Sequence, residues 1–377
     1  MVVKSEGVML ARLVLATGLQ LLPFAVISQE LRPVDEVRVY AEQLRMSTFA
    51  DGLLLDNSQS KINHQDVNPR ALSLGSVHGT WAFARWPGWT AEVFVKQETR
   101  ISGADGTLVA VASLNGDRVA KGAGVGLPFS INAQTMRRIG IGLGHNFVAD
   151  LPGNPRLSVM GRGFVVDKYR SVTADGVVTE AFNGNLGIQA STLDNRLGGD
   201  SDYIHPIKVV GLGFAMDLSS LWGNSDADHL LLEARNIGPS VRIKHVLQTT
   251  KNINTNTVSY DANGFIQFAP IVNGRYSDVS TSARQYPQFV VSGAQKIGTT
   301  VSALLRVNSS YPVTDIGIGL QGRFADHSLQ AMLHGGYGLP MSLGLGWQYR
   351  AVNLQWRADS LSPSRARIWG LSASLRY

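Results

Sequence analysis

From Arg367 to Tyr377 the chain reads RIWGLSASLRY. Trp369, Leu371, Ala373, Leu375 and Tyr377 share one parity, and Gly370, Ser372, Ser374 and Arg376 the other. Successive strand side chains point to opposite faces, so this is a strand with one apolar and one polar side. The pattern recurs. PMSLGLGWQYR sets Met341, Leu343, Leu345, Trp347 and Tyr349 against Ser342, Gly344, Gly346, Gln348 and Arg350, and VNLQWRAD sets Val352, Leu354, Trp356 and Ala358 against Asn353, Gln355, Arg357 and Asp359. Similar stretches lie around 301–307, 316–321 and 328–334, and with weaker contrast around 72–84, 90–101, 119–131, 138–147, 157–167, 178–190, 207–218, 229–237, 241–248, 264–269 and 287–296.

Beyond residue 28 no apolar run reaches the ~20 residues of a membrane helix. A chain that enters hydrocarbon on strands must close its sheet, because an open edge leaves backbone groups unpaired. A soluble sandwich alternates too. Here, however, the polar parity is rich in Gly, Ser, Arg and Gln, and turn-rich segments such as SGADG, LPGNPR and SLSPSR separate the strands without any helix-period segment. The reading is all-β: a transmembrane antiparallel β-barrel of about 14 strands, within a range of about 12–18. Trp347, Tyr349, Trp356, Trp369 and Tyr377 suit the interfacial girdles of such a barrel.

The amino terminus implies export. Lys4 and Arg12 precede LVLATGLQLLPFAVIS, and polar QELRPVDE follows at once. That is the layout of a signal peptide over residues 1–28, with cleavage after Ser28; a signal anchor is the alternative. Residues 29–70 are set apart as a periplasmic or plug segment: Val37, Tyr40, Ala41 and Leu44 recur at helical spacing, and SQSKINHQDVNP is polar. A lumen plug and a periplasmic tail with an irregular first strand both fit. The barrel then spans residues 71–377, and the bacterial outer membrane is the expected location.

Composition narrows the function classes. The net charge of +6 comes from Lys and Arg scattered singly, so no basic run points to nucleic acid. The eight histidines lie in no metal-ligand spacing, and no G-x-S-x-G elbow occurs. No catalytic, metal or cofactor site is expected, and the chain is read as a non-enzyme. Charges on the polar parity must face the lumen. Arg138, Arg162, Arg242, Arg306, Arg323 and Arg357 are the candidate lining residues, with few acids among them, chiefly Asp359 and Glu233. Two readings stand. Either the arginines bias an open lumen toward anions, or they pair with carboxylates and fill it.

The last strand, ending on Tyr377, resembles the closing strand of bacterial outer-membrane proteins. That resemblance makes Tyr377 the signal read by the barrel assembly machinery and makes outer-membrane lipid a partner. The segment VVGLGFAMDLSSLWGNSDADHLLLEARNIGPSVRI, Val209 to Ile243, with Asn236, Ile237 and Gly238, is similar to a pattern in long-chain fatty acid transporter-like barrels and their secretion-associated relatives. This implies a barrel of about fourteen strands that serves as a channel or transporter for hydrophobic or small solutes. A barrel that anchors or assembles an envelope or secretion complex is the alternative.

Overall fold

The computed structural model describes residues 36–45, 73–86, 88–103, 107, 126–180, 186–197, 211–225, 228–255, 258–260, 266–268, 272–311, 313–336, 339–360 and 368–376. The proposed signal peptide, residues 46–70 and Tyr377 lie outside them. In chain order the strands are β1 (Glu36–Arg45), β2 (Ser73–Trp86), β3 (Trp89–Gly103), β4 (Gly126–Val148), β5 (Arg156–Glu180), β6 (Leu186–Leu197), β7 (Gly211–Ser225), β8 (Asp228–Ile237), β9 (Val241–Asn254), β10 (Val258–Tyr260), β11 (Ile266–Phe268), β12 (Val272–Ala283), β13 (Gln288–Lys296), β14 (Val301–Ser310), β15 (Val313–Phe324), β16 (His327–Gly336), β17 (Leu339–Tyr349), β18 (Val352–Ala358) and β19 (Ile368–Arg376).

Fourteen of these close a ring of antiparallel pairs. β1 to β5 follow in order, β5 pairs β7, β7 pairs β8, β8 pairs β13, and β13 to β19 run on until β19 pairs β1. Each wall strand therefore has two neighbours, and no backbone edge is left for lipid to solvate. The alternation is the reason the ring can stand in a membrane. Ile141, Leu212, Leu305, Ile318, Leu345 and Leu371 point outward and are exposed, while Arg138, Ala215, Ser302, Asp315, Ser342 and Ser374 on the opposite parity are buried. Outward-facing aliphatics of this density are stable only where the solvent is hydrocarbon.

Of the two readings left open for residues 29–70, residues 36–45 fit the one with a first strand, and they begin the wall ahead of residue 71. They form neither a helix nor a plug but wall strand β1, in register with β19 through Val37↔Leu375, Val39↔Ala373 and Ala41↔Leu371 and with β2 on the other side. Val37, Val39 and Ala41 alternate as well as Val37, Ala41 and Leu44 repeat, and ring closure decides between the two periods. The stretches read separately near 119–131 and 138–147 share one 23-residue strand, β4 (Gly126–Val148), with residues 119–125 outside the described ones. Its partner β5 has 25 residues, against 7 to 12 in the strands from β13 to β18. About 9–11 tilted residues cross a bilayer, so β4 and β5 continue well beyond it.

That overhang carries the remaining main-sheet strands. The outer half of β5 pairs β6, β6 pairs β9, and β9 pairs β12. The polar segment Thr249 to Asn263 is partly strand, at the end of β9 and in β10, which forms a separate ribbon with β11. The extension packs back on the inner faces of β5 and β7: Val166, Ile243, Val246 and Ala283 are fully buried beside Phe164, Tyr169 and Ala215. Gly213 makes the approach possible, since a Cβ there would lie 2.4 Å from the Phe164 ring. At the opposite end of the ring, turns such as 325–326 and 350–351 are tight, and aromatic groups gather there: His327 with Trp347 and Tyr349, and His145 with Trp89 and Phe147. Short turns mark the periplasmic end of such a barrel, and aromatic girdles flank the bilayer at both interfaces.

Candidate functional site: a charge-paired lumen

The inward parity encloses a cavity of about 620 Å³. Its two walls differ in chemistry. On β3, β4, β5, β7 and β8 the lining is charged, with Glu92, Lys96, Glu98, Arg100, Arg138, Arg162, Asp217, Glu233 and Arg235. On the wall from β14 to β19 it is mostly amide, hydroxyl and glycine, interrupted by Arg306, Asp315 and Arg357.

The charged wall is internally matched. Arg138, only 2% exposed, donates to Glu98 and Asn236, and to Gln285 at 3.1 Å. Arg162 bridges Glu92 and Asp217, and Glu98 also holds Lys96 at 3.0 Å. Across the lumen Arg357 donates two hydrogen bonds of 2.8 Å to the Asp315 carboxylate and a third, also 2.8 Å, to Ser342 Oγ. Planar guanidinium matches carboxylate geometry two bonds at a time, which is why Arg suits these positions. A charge left alone in such a site is costly, so the partners are needed for the arginines to be there at all.

The six arginines proposed from sequence therefore divide. Arg138, Arg162, Arg306 and Arg357 line the cavity. Arg323 shares the inward parity of Asp315 but is half-buried nearer the short-turn end, away from the cavity lining. Arg242 does not line it: β9 belongs to the extension, where Val241 and Ile243 take the buried face and Arg242 the exposed one. The acids Glu92, Glu98, Asp217 and Asp315 escaped the sequence reading although a signal existed for most. Glu92, Lys96, Glu98 and Arg100 alternate with Ala91, Val93 and Val95, as Asp315 does with Ile316. Asp217 adjoins a register shift between β7 and β8, which blurs its parity.

At the mouth of the cavity the ring is tied across. Arg100 on β3 donates to Ser310 Oγ at 2.9 Å and to the Tyr311 carbonyl, both at the end of β14 on the far wall. The link 284–287 between β12 and β13 runs through the same layer. Gln285 donates to the carbonyls of Phe214 and Pro239 at 2.8 and 2.7 Å, and Tyr286 stacks on Tyr311 beneath the Arg100 guanidinium. Asn236 turns the chain into this layer with φ of 60°, a left-handed conformation that Asn tolerates. Its side chain donates to the Tyr286 carbonyl at 2.8 Å. A Cβ at Gly238 would fall 2.3 Å from the Phe214 carbonyl oxygen, so the Asn-Ile-Gly triplet singled out from sequence has a steric basis.

No protein-family model and no curated protein sequence matches the chain. Among solved structures it is similar to two toluene transporters. TodX from P. putida is 9% identical, with 93% of this chain and 91% of that chain covered and a TM-score of 0.41. Ralstonia pickettii TbuX is 10% identical, with 92% and 90% covered and a TM-score of 0.41. The siderophore receptor PirA from Acinetobacter baumannii is 8% identical, with 93% and 81% covered and a TM-score of 0.21. The barrel assignment rests on the strand pairings of this chain itself.

A second concavity, about 580 Å³, lies on the lipid side of the wall formed by β15 to β18, among Leu320, Leu329, Leu345, Trp347, Leu354 and Trp356. Gln330, Gly346 and Gln355 border both this apolar groove and the lumen. The wall is thin there because Gly346 presents no side chain inward.

Proposed function

We propose that the chain is an outer-membrane β-barrel that acts as a channel or transporter for small solutes, hydrophobic ones included, and has no enzymatic role. The observation that carries the reading is a polar cavity of about 620 Å³ inside a closed ring whose outer face is apolar. A barrel whose interior served only as filler would pack it with side chains. The apolar groove against the same wall supplies a surface on which a hydrophobic solute could rest beside the lumen. The purified protein in planar bilayers should conduct ions in discrete steps, and proteoliposomes should swell in small neutral solutes. Absence of both would reject transport.

The ties of Arg100 and Gln285 across the mouth favour the second reading, a closed barrel that anchors or assembles an envelope complex. It expects no conductance in the wild type and none after Gln285→Ala. A transporter with a closing mouth expects conductance to rise in that variant.

A further inference from the structure

The lipid-facing belt has a definite depth on β4. Its outward residues are Phe147, His145, Leu143, Ile141 and Ile139, nine residues from end to end, within the ~9–11 that cross a bilayer. The next outward position toward the extension is Arg137, and β5 sets Lys168 across from it. Arg170 follows on the same face of β5, and β6 sets Arg196 directly opposite. Tyr169, alternating with Lys168 and Arg170, is buried in the core, so these cations point away from it. With the short turns at the other end of the ring, the four stand at headgroup depth in the outer leaflet. Two carboxylates share the rim. Asp167 accepts from Arg137 Nε at 3.0 and 2.9 Å, and Asp194 is held by Arg170 at 2.9 Å and by Arg196 at 3.3 Å. Four cations against two anions leave an excess of two positive charges among the described residues, and Lys168 belongs to neither pairing.

The excess is confined to this sector. The flanking outward positions, Gln97 on β3 and Leu247 on β9, are uncharged, and Asp278 beyond Leu247 is hydrogen-bonded to His245 Nδ1 at 3.0 Å. On the facing wall the last outward residues at this end, Phe289, Ser309, Thr314, Gly335 and Met341, carry no charge. Setting Arg196 directly across from Arg170 costs stability unless anions lie between them, and Asp194 supplies one charge for two cations. We propose that this rim of β4, β5 and β6 docks the phosphate-bearing headgroup of an outer-leaflet lipid. Guanidinium groups match phosphate oxygens two bonds at a time, and basic side chains beside an anionic lipid surface gain from its potential. Below the rim an acyl chain has room, because Gly163 faces lipid between Ile141 and Phe214, and a Cβ there would meet nothing within 4 Å. The inference rests on the outer-membrane orientation of the ring and not on transport.

The test uses the full chain in detergent micelles and lipid A as the probe, in its diphosphoryl and monophosphoryl forms, with bound lipid counted by native mass spectrometry. Diphosphoryl lipid A should bind saturably and more tightly than the monophosphoryl form, and the preference should fade as salt screens it. Lys168→Gln with Arg196→Gln leaves Arg137 and Arg170 on the two carboxylates and should weaken binding by about fivefold per charge removed. Arg350→Gln, at the short-turn end, should leave binding unchanged. The gel shift between unheated and boiled samples verifies that each variant closes its ring, and Lys168→Gln alone replaces the double variant if that one does not. Equal affinity for the two lipid forms overturns the site, as does unchanged affinity in the rim variant or an equal loss in Arg350→Gln.

Discussion

Leu345 and Gly346 are adjacent in β17 yet face different solvents, which makes them the sharpest check on parity. Leu345 is 45% exposed in the outer groove, whereas Gly346 faces the lumen, and a Cβ there would meet only the flexible Gln330 side chain, at 3.2 Å. Leu345→Arg should destabilise the barrel by ~2–4 kcal/mol if the site lies near the bilayer midplane, and Gly346→Arg by clearly less; urea unfolding in lipid vesicles measures both. Equal losses would mean the inner and outer faces have been exchanged. The Asp315–Arg357 pair tests whether lumen arginines are structural. Arg357→Gln leaves a carboxylate that is 3% exposed without its bidentate partner, and the expected loss is about 3 kcal/mol. Adding Asp315→Asn should recover most of it, with a coupling energy above about 1 kcal/mol in a double-mutant cycle. Additive losses would show that the pair contributes nothing as a pair. Asp315 also accepts from His334 Nδ1 at 3.3 Å, and Ser342 Oγ accepts from Arg357, so the pair sits within a wider hydrogen-bonded cluster.

At the scale of elements, β1 has a role out of proportion to its ten residues, because it alone joins β19 to β2. Deleting residues 36–45 should leave two unpaired edges in hydrocarbon, and the gel shift between unheated and boiled samples should disappear. Retention of that shift would mean that β19 pairs β2 directly in a thirteen-stranded ring. The extension formed by β6, β9 and β12 behaves differently, since it closes no ring. Truncating Ile243, which is fully buried under β5 and β7, to Ala should cost about 2–4 kcal/mol locally without abolishing the gel shift. Protease sensitivity of the extension in otherwise folded protein is the measurement, and loss of the whole barrel would show that the two units fold as one. The period of a ten-residue segment could not settle β1 from sequence. Its apolar residues fit two spacings, and only the two flanking strands, one of them at the far end of the chain, select the extended one.

For the whole molecule, charge pairing predicts weak ion selectivity. Among the described residues the cavity lining carries seven basic and five acidic side chains, so any anion preference should be small and should fade as salt screens it over ~10 Å at 0.1 M. Changing Arg306, Arg323 and Arg357 together to Gln should shift the reversal potential little and lower stability clearly. A large shift at unchanged stability would restore the picture of an arginine-lined anion path. The alternation of apolar and small or polar residues determined by itself that this chain makes strands and which face of each meets hydrocarbon, whereas the number that close the ring, expected at about 14 within a range of about 12–18, was decided by pairing between strands. The inward parity of Arg138, Arg162, Arg306 and Arg357 was legible on the same ground. What met those arginines was not. Glu98 lies 40 residues from Arg138, Asp217 lies 55 from Arg162, and Ser310 lies 210 from Arg100. Such partners are chosen by strand order and register around the ring, and by the inward fold of the link at Gln285. Those are relations between distant segments that no local period encodes, and they turned a row of like charges into a matched lumen.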